Sequence, residues 1–92
     1  MAQVTVRIPS PLRPHVGGAA TLEVTAGTVG EALDGLSGRH PALRSRLFTP
    51  EGTLRRFVNV FVGPDHIRVL QGLATPLREG ATISIIAAVA GG

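Results

Sequence analysis

The apolar positions of this 92-residue chain repeat with two different periods, and the places where the period changes predict an architecture. Val4, Val6 and Ile8 alternate with Thr5 and Arg7, the spacing of a strand with one buried face, which Pro9 and Pro11 then end. Leu22 and Val24 alternate with Thr21, Glu23 and Thr25 after the Gly17-Gly18 break, so the first two strands form a hairpin joined by a loop. The period then lengthens. Thr28-Val29-Gly30-Glu31 has the residues of a capping box, in which the Thr28 hydroxyl and the Glu31 carboxylate satisfy free N–H groups at a helix start. Val29, Leu33 and Leu36 follow on one face with Ala32 beside them, and Gly38 is placed to end the helix. Pro41 to Phe48 predicts a further turn that brings Leu43 and Leu47 to the core.

The second half returns to a period of two. Phe57 to Val62 predicts a strand with Val58, Val60 and Val62 on one face and Phe57, Asn59 and Phe61 on the other. Gly63-Pro64-Asp65 turns the chain, Ile67 to Leu70 reads as a short edge strand, Thr75-Pro76-Leu77 as a helical turn, and Thr82 to Val89 as the last strand. A helix whose next strand rejoins the same sheet needs a right-handed crossover, which lays the helix across one sheet face. The expected fold is therefore α+β, the β-grasp arrangement: a mixed sheet of four to five strands with one main helix packed across one face. The domain is expected to span residues 1–87, with 88–92 as a flexible tail ending in Gly91-Gly92.

A sheet covered on one side leaves an open face, and here that face is not uniformly polar. If Val58, Val60, Ile83 and Ile85 face the helix, then Phe57, Phe61 and Ile86 lie on the open side with Asn59, Thr5, Arg7 and Ser84. Two readings stand. Either the loop of residues 9–20 covers these apolar groups, or they form a patch that docks a partner. Arg55 and Arg56 extend the partner reading by steering an acidic surface, although an exposed arginine pair is often simply solvated.

Composition narrows the chemistry. A chain of this length builds one core, with no room for a cofactor domain beside a catalytic one. It has no cysteine, which excludes disulfides, thiolate metal sites and a cysteine nucleophile. His15, His40 and His66 have no ligand spacing, so no metal site is expected. All nine basic residues are arginine, giving a formal charge of +3, which favours acidic partners. The only aromatics are Phe48, Phe57 and Phe61; without basic–aromatic interleaving, nucleic acid is not an expected partner. The start carries no basic region followed by an apolar stretch, and no apolar run approaches the roughly 20 residues that cross a bilayer. A cytoplasmic protein without a membrane partner is expected.

The sequence ends in Ala88-Val89-Ala90-Gly91-Gly92. Alanine at Ala88 and Ala90 and the glycines beyond keep this thread thin enough for a narrow slot, and the five residues extended at about 3.3–3.6 Å each reach roughly 17 Å. A terminal carboxylate is ionised at neutral pH and is a poor electrophile. The chain has no Gly-rich loop ending in Gly-Lys-Ser or Gly-Lys-Thr, so activation by ATP falls to a partner.

Ile8-Pro9 through Leu12-Arg13-Pro14-His15 and Gly17-Gly18, then Arg56-Phe57-Val58-Asn59-Val60, Gly72-Leu73-Ala74-Thr75 and the ending Ala88-Val89-Ala90-Gly91-Gly92 carry a family resemblance. The chain resembles the ubiquitin-like sulfur carriers, which include the thiamin-pathway carrier and the small subunit of molybdopterin synthase, and most of all the carriers of cysteine biosynthesis. Ala87 departs from the pattern, which has proline there, and so loosens the root of the tail. The resemblance implies a carrier and not an enzyme, with no cofactor of its own. It implies that an E1-like adenylating and sulfurtransferase enzyme uses ATP to adenylate Gly92, after which sulfide displaces AMP to give a thiocarboxylate. Ala88, Val89, Ala90 and Gly91 would thread into the partner. The acceptor implied is a pyridoxal-phosphate-dependent cysteine synthase, with a metallopeptidase releasing the product. Thiamin or molybdopterin synthesis, a protein modifier that joins Gly92 to lysines, and a passive β-grasp interaction module are the competing readings.

Overall fold

The computed structural model describes residues 1–87. Strands β1 (Ala2–Arg7) and β2 (Thr21–Ala26) pair antiparallel from Ala2↔Ala26 to Arg7↔Thr21. Their connection is more ordered than a plain loop: Ser10–Val16 winds as a 3₁₀ helix that ends at Gly17. Gly17 has φ 69°, a left-handed conformation that a side chain would strain.

Helix α1 (Val29–Arg39) starts as the capping-box pattern predicts. The Glu31 N–H donates to Thr28 Oγ1 at 3.2 Å, and the Thr28 N–H donates to Glu31 Oε1 at 3.2 Å. Val29, Ala32, Leu33 and Leu36 are all fully buried. The end differs from the expectation at Gly38: the helix runs on through Arg39, and His40 joins it directly to helix α2 (Pro41–Leu47). Pro41 fits this junction because a first helical residue has no N–H bond to lose. Leu43 and Leu47 of α2 enter the core as expected.

Strands β3 (Val58–Val62), β4 (Asp65–His66) and β5 (Thr82–Ala87) complete a five-stranded sheet of order β2-β1-β5-β3-β4. β5 is central, parallel to β1 and antiparallel to β3. Val4, Val6, Val60, Ile83 and Ile85 form the sheet side of the core, beneath Leu33, Leu36, Leu43 and Leu47. The fold is the predicted mixed sheet with its helix across one face.

Three local expectations are corrected. Ile67 to Leu70 is not an edge strand: the edge is the two-residue β4, and Ile67–Val69 forms a 3₁₀ turn because the His66 ring accepts the Arg68 N–H at 2.9 Å. Thr75-Pro76-Leu77 is not a helical turn; the turn is Gly72–Ala74, while Pro76 bridges to Thr28 and the Leu77 N–H donates to the Gly27 carbonyl. β3 begins at Val58, since Phe57 lies in a turn closed by the Val58 N–H on the Arg55 carbonyl at 3.0 Å. The last strand is described as far as Ala87; Ala88 and Val89 of the expected span lie outside the described residues.

Candidate functional site

The open face of the sheet is assembled by register. Ile86 pairs across the ladder with Asn59, and Ser84 stands between Arg7 on β1 and Phe61 on β3. Phe61 pairs in turn with His66 on β4, their rings 5.0 Å apart in an edge-to-face arrangement. His66 Nε2 lies 3.0 Å from Asn59 Oδ1, while Nδ1 takes the Arg68 N–H. That N–H donor leaves Nδ1 as the acceptor and puts the ring proton on Nε2, which donates to Asn59. His66 therefore fixes both Asn59 and Phe61. The sequence offers His66 only as a discounted metal ligand, yet the Gly63-Pro64 turn, two residues long, is the signal that places it opposite Phe61.

Exposure separates the two readings of this face. Ile86 is 52% exposed and Phe57 41%, with Phe61 half-buried against His66. The segment 9–20 does not cover them; its Leu12 and Val16 are buried in the core shared with α1 and α2. Toward β2 the same face is polar and bonded to itself, with Thr5 Oγ1 donating to Glu23 Oε2 at 2.7 Å and Gln3 Nε2 to Glu23 Oε1 at 3.3 Å.

Arg55 and Arg56 are not part of this patch. They line a cleft with Val58 and Val60, whose side chains point to the helix side of β3. Arg55 Nε donates to the Ser45 carbonyl at 2.7 Å, and Arg56 is exposed. Gly92 and the residues expected to thread into a partner, Ala88, Val89, Ala90 and Gly91, lie outside the described residues. The chain reaches them from Ala87, which pairs with Val58. Among the described residues no group of His, Asp and Glu is arranged to hold a metal, and no helix is long and apolar enough to cross a membrane.

Residues 6–92 match the model of the ThiS family. The chain belongs to that family. It is 40% identical over 91 residues to the sulfur carrier protein CysO of Mycobacterium tuberculosis, covering 97% of this chain and 98% of the relative. It is also 40% identical over 86 residues to the small archaeal modifier protein 1 of Haloferax volcanii, covering 85% and 88%. A chain in the crystal structure of the Amycolatopsis orientalis BexX/CysO complex superposes with a TM-score of 0.87 at 42% identity, covering 97% of this chain and 99% of that one. As a ThiS-family member this is a ubiquitin-like sulfur carrier protein of the CysO type, a carrier rather than an enzyme.

Proposed function

We propose that the chemistry of this carrier takes place at the Gly92 carboxylate. An E1-like partner directs a carboxylate oxygen onto the α-phosphorus of ATP with loss of pyrophosphate. Sulfide then attacks the acyl carbon, AMP leaves, and Gly92 carries a thiocarboxylate. The product is anionic and polarisable, a stronger nucleophile than the carboxylate for the reason a thiolate outperforms a thiol. Tethering it to a folded domain retains the sulfur and brings the partner's binding energy to the reaction. The observation that carries this reading is the family match continuing through Gly92 at the end of a chain 40% identical to a sulfur carrier.

The acceptor we favour is a pyridoxal-phosphate-dependent cysteine synthase, with a metallopeptidase releasing the product, as the likeness to CysO suggests. The row of Phe57, Asn59, Phe61 and Ile86, in which Phe57 and Ile86 are exposed, docks the partner beside the strand that leads to the tail, Ala88 to Gly91 thread its active site, and Arg55 and Arg56 steer an acidic surface. The occurrence of a related carrier in a complex with BexX supports a protein partner. The residues 1–87 act as the rigid body and 88–92 as the tail.

Adding one alanine after Gly92 tests the reading: with the activating enzyme, ATP and sulfide, transfer is abolished while the domain stays folded. Transfer that persists without trimming of the added residue overturns it. The 40% identity to an archaeal modifier favours a second reading, in which Gly92 is joined to lysines of target proteins. The chain itself has no lysine and so cannot build lysine-linked chains of its own.

A further inference from the structure

On the helix side of β3 lies a cleft of about 440 Å³ that takes in Arg55 and Arg56, and what it holds deepens the steering role proposed for them. Its floor includes the buried Val58, Val60 and Ile67, and its rim carries Arg55, Arg56 and Arg68. No acidic residue lines it; Glu51 and Asp65, the nearest along the chain, fall outside the lining. The hydrogen bond from Arg55 Nε to the Ser45 carbonyl orients that guanidinium while leaving its outer N–H groups available. The Arg56 and Arg68 side chains make no hydrogen bond or ion pair to any described residue, whereas Arg13, Arg39 and Arg44 are each tied to the protein. A floor that accepts one aliphatic side chain beneath three guanidiniums is complementary to carboxylates flanking an apolar residue.

We infer that this cleft docks an acidic segment of a partner protein, in which one aliphatic side chain enters the cleft and neighbouring carboxylates meet Arg55, Arg56 and Arg68. Nucleic acid fits less well, because the one aromatic ring in the lining, His66, is already held by Phe61, Asn59 and the Arg68 N–H and is not free to stack a base. The cleft floor of Val58 and Val60 lies on the opposite sheet face from Ile86, and the two surfaces meet at His66 on the β4 edge. The cleft also adjoins the tail root: Val58, in its floor, pairs with Ala87. A partner held here grips the carrier from behind while the tail remains available to a second enzyme. This inference is independent of what Gly92 carries.

The test is an amide NMR titration of the full chain, unloaded, with a capped Asp-Asp-Leu-Asp-Asp peptide and its Asn-Asn-Leu-Asn-Asn isostere. The acidic peptide shifts residues 52–56, 66–68 and 72–73, and its binding weakens as salt is raised. Arg56→Gln and Arg68→Gln each weaken it several-fold, and together about tenfold. Because neither side chain makes a hydrogen bond or ion pair to a described residue, both variants keep the parent's amide dispersion. Arg78→Gln, which removes a charge outside the cleft, binds as the parent does. Shifts centred on Ser84 and Ile86, equal binding of the neutral isostere, or unchanged affinity in the double variant overturn the inference. So does tighter binding of a single-stranded RNA of equal charge, or cleft shifts that vanish on dilution because a second copy of the chain fills it.

Discussion

Ile85 and Ile86 are adjacent, chemically identical and on the same central strand, yet Ile85 is 3% exposed and Ile86 is 52% exposed. The difference is the side of the sheet each meets. Ile85 faces α1 and α2 and joins a core with Val6, Val60 and Leu36, while Ile86 faces outward across from Asn59. The covered face holds the fold together by burial. The open face is polar and self-bonded toward β2 and carries exposed apolar groups toward β3, the half proposed above to dock a partner.

The sharpest way to break this contrast is to truncate each isoleucine. Ile85→Ala costs about 2–4 kcal/mol in urea unfolding, and Ile86→Ala changes stability by no more than about 0.5 kcal/mol; similar losses at both sites would show that the open face is not open. Next in size, Ile86→Asp weakens association with the activating enzyme by about tenfold or more at an unchanged urea midpoint, measured by calorimetric titration. The covering helix depends on its start, so Thr28→Ala lowers stability by about 1 kcal/mol. Smallest is the clasp between α2 and α1. Arg44 Nη2 meets Asp34 Oδ1 at 2.6 Å with both side chains largely exposed, and Arg44→Ala costs under about 1 kcal/mol, less still in high salt.

The covered face was legible in the sequence because its signals are local. Val4 and Val6, the Thr28 and Glu31 cap, and Leu33 and Leu36 each announce their element within one or two turns of chain. The misread segments depend on long-range pairing. Pro76 sits opposite Thr28 and Leu77 bonds to Gly27, so a stretch that resembles a helical turn in isolation is held extended by residues nearly fifty positions earlier. Ile67 is apolar and in a plausible strand, but its role is to enter the core from a 3₁₀ turn capped by the His66 ring, which leaves Val69 74% exposed. At the candidate site, the alternation identified Asn59, Phe61 and Ile86 together. It did not reveal that Arg55 and Arg56 belong behind β3, because the turn before Val58 breaks the alternation that would have placed them.

Gly92 is the proposed carrier of sulfur, and intact-protein mass spectrometry of the protein isolated from its native cells tests that most directly. The expected result is a species in which one oxygen is replaced by sulfur, with fragmentation placing the change at Gly92. Gly92 found instead in isopeptide linkage to lysines of many proteins, with no sulfur-bearing form at any growth stage, would contradict it.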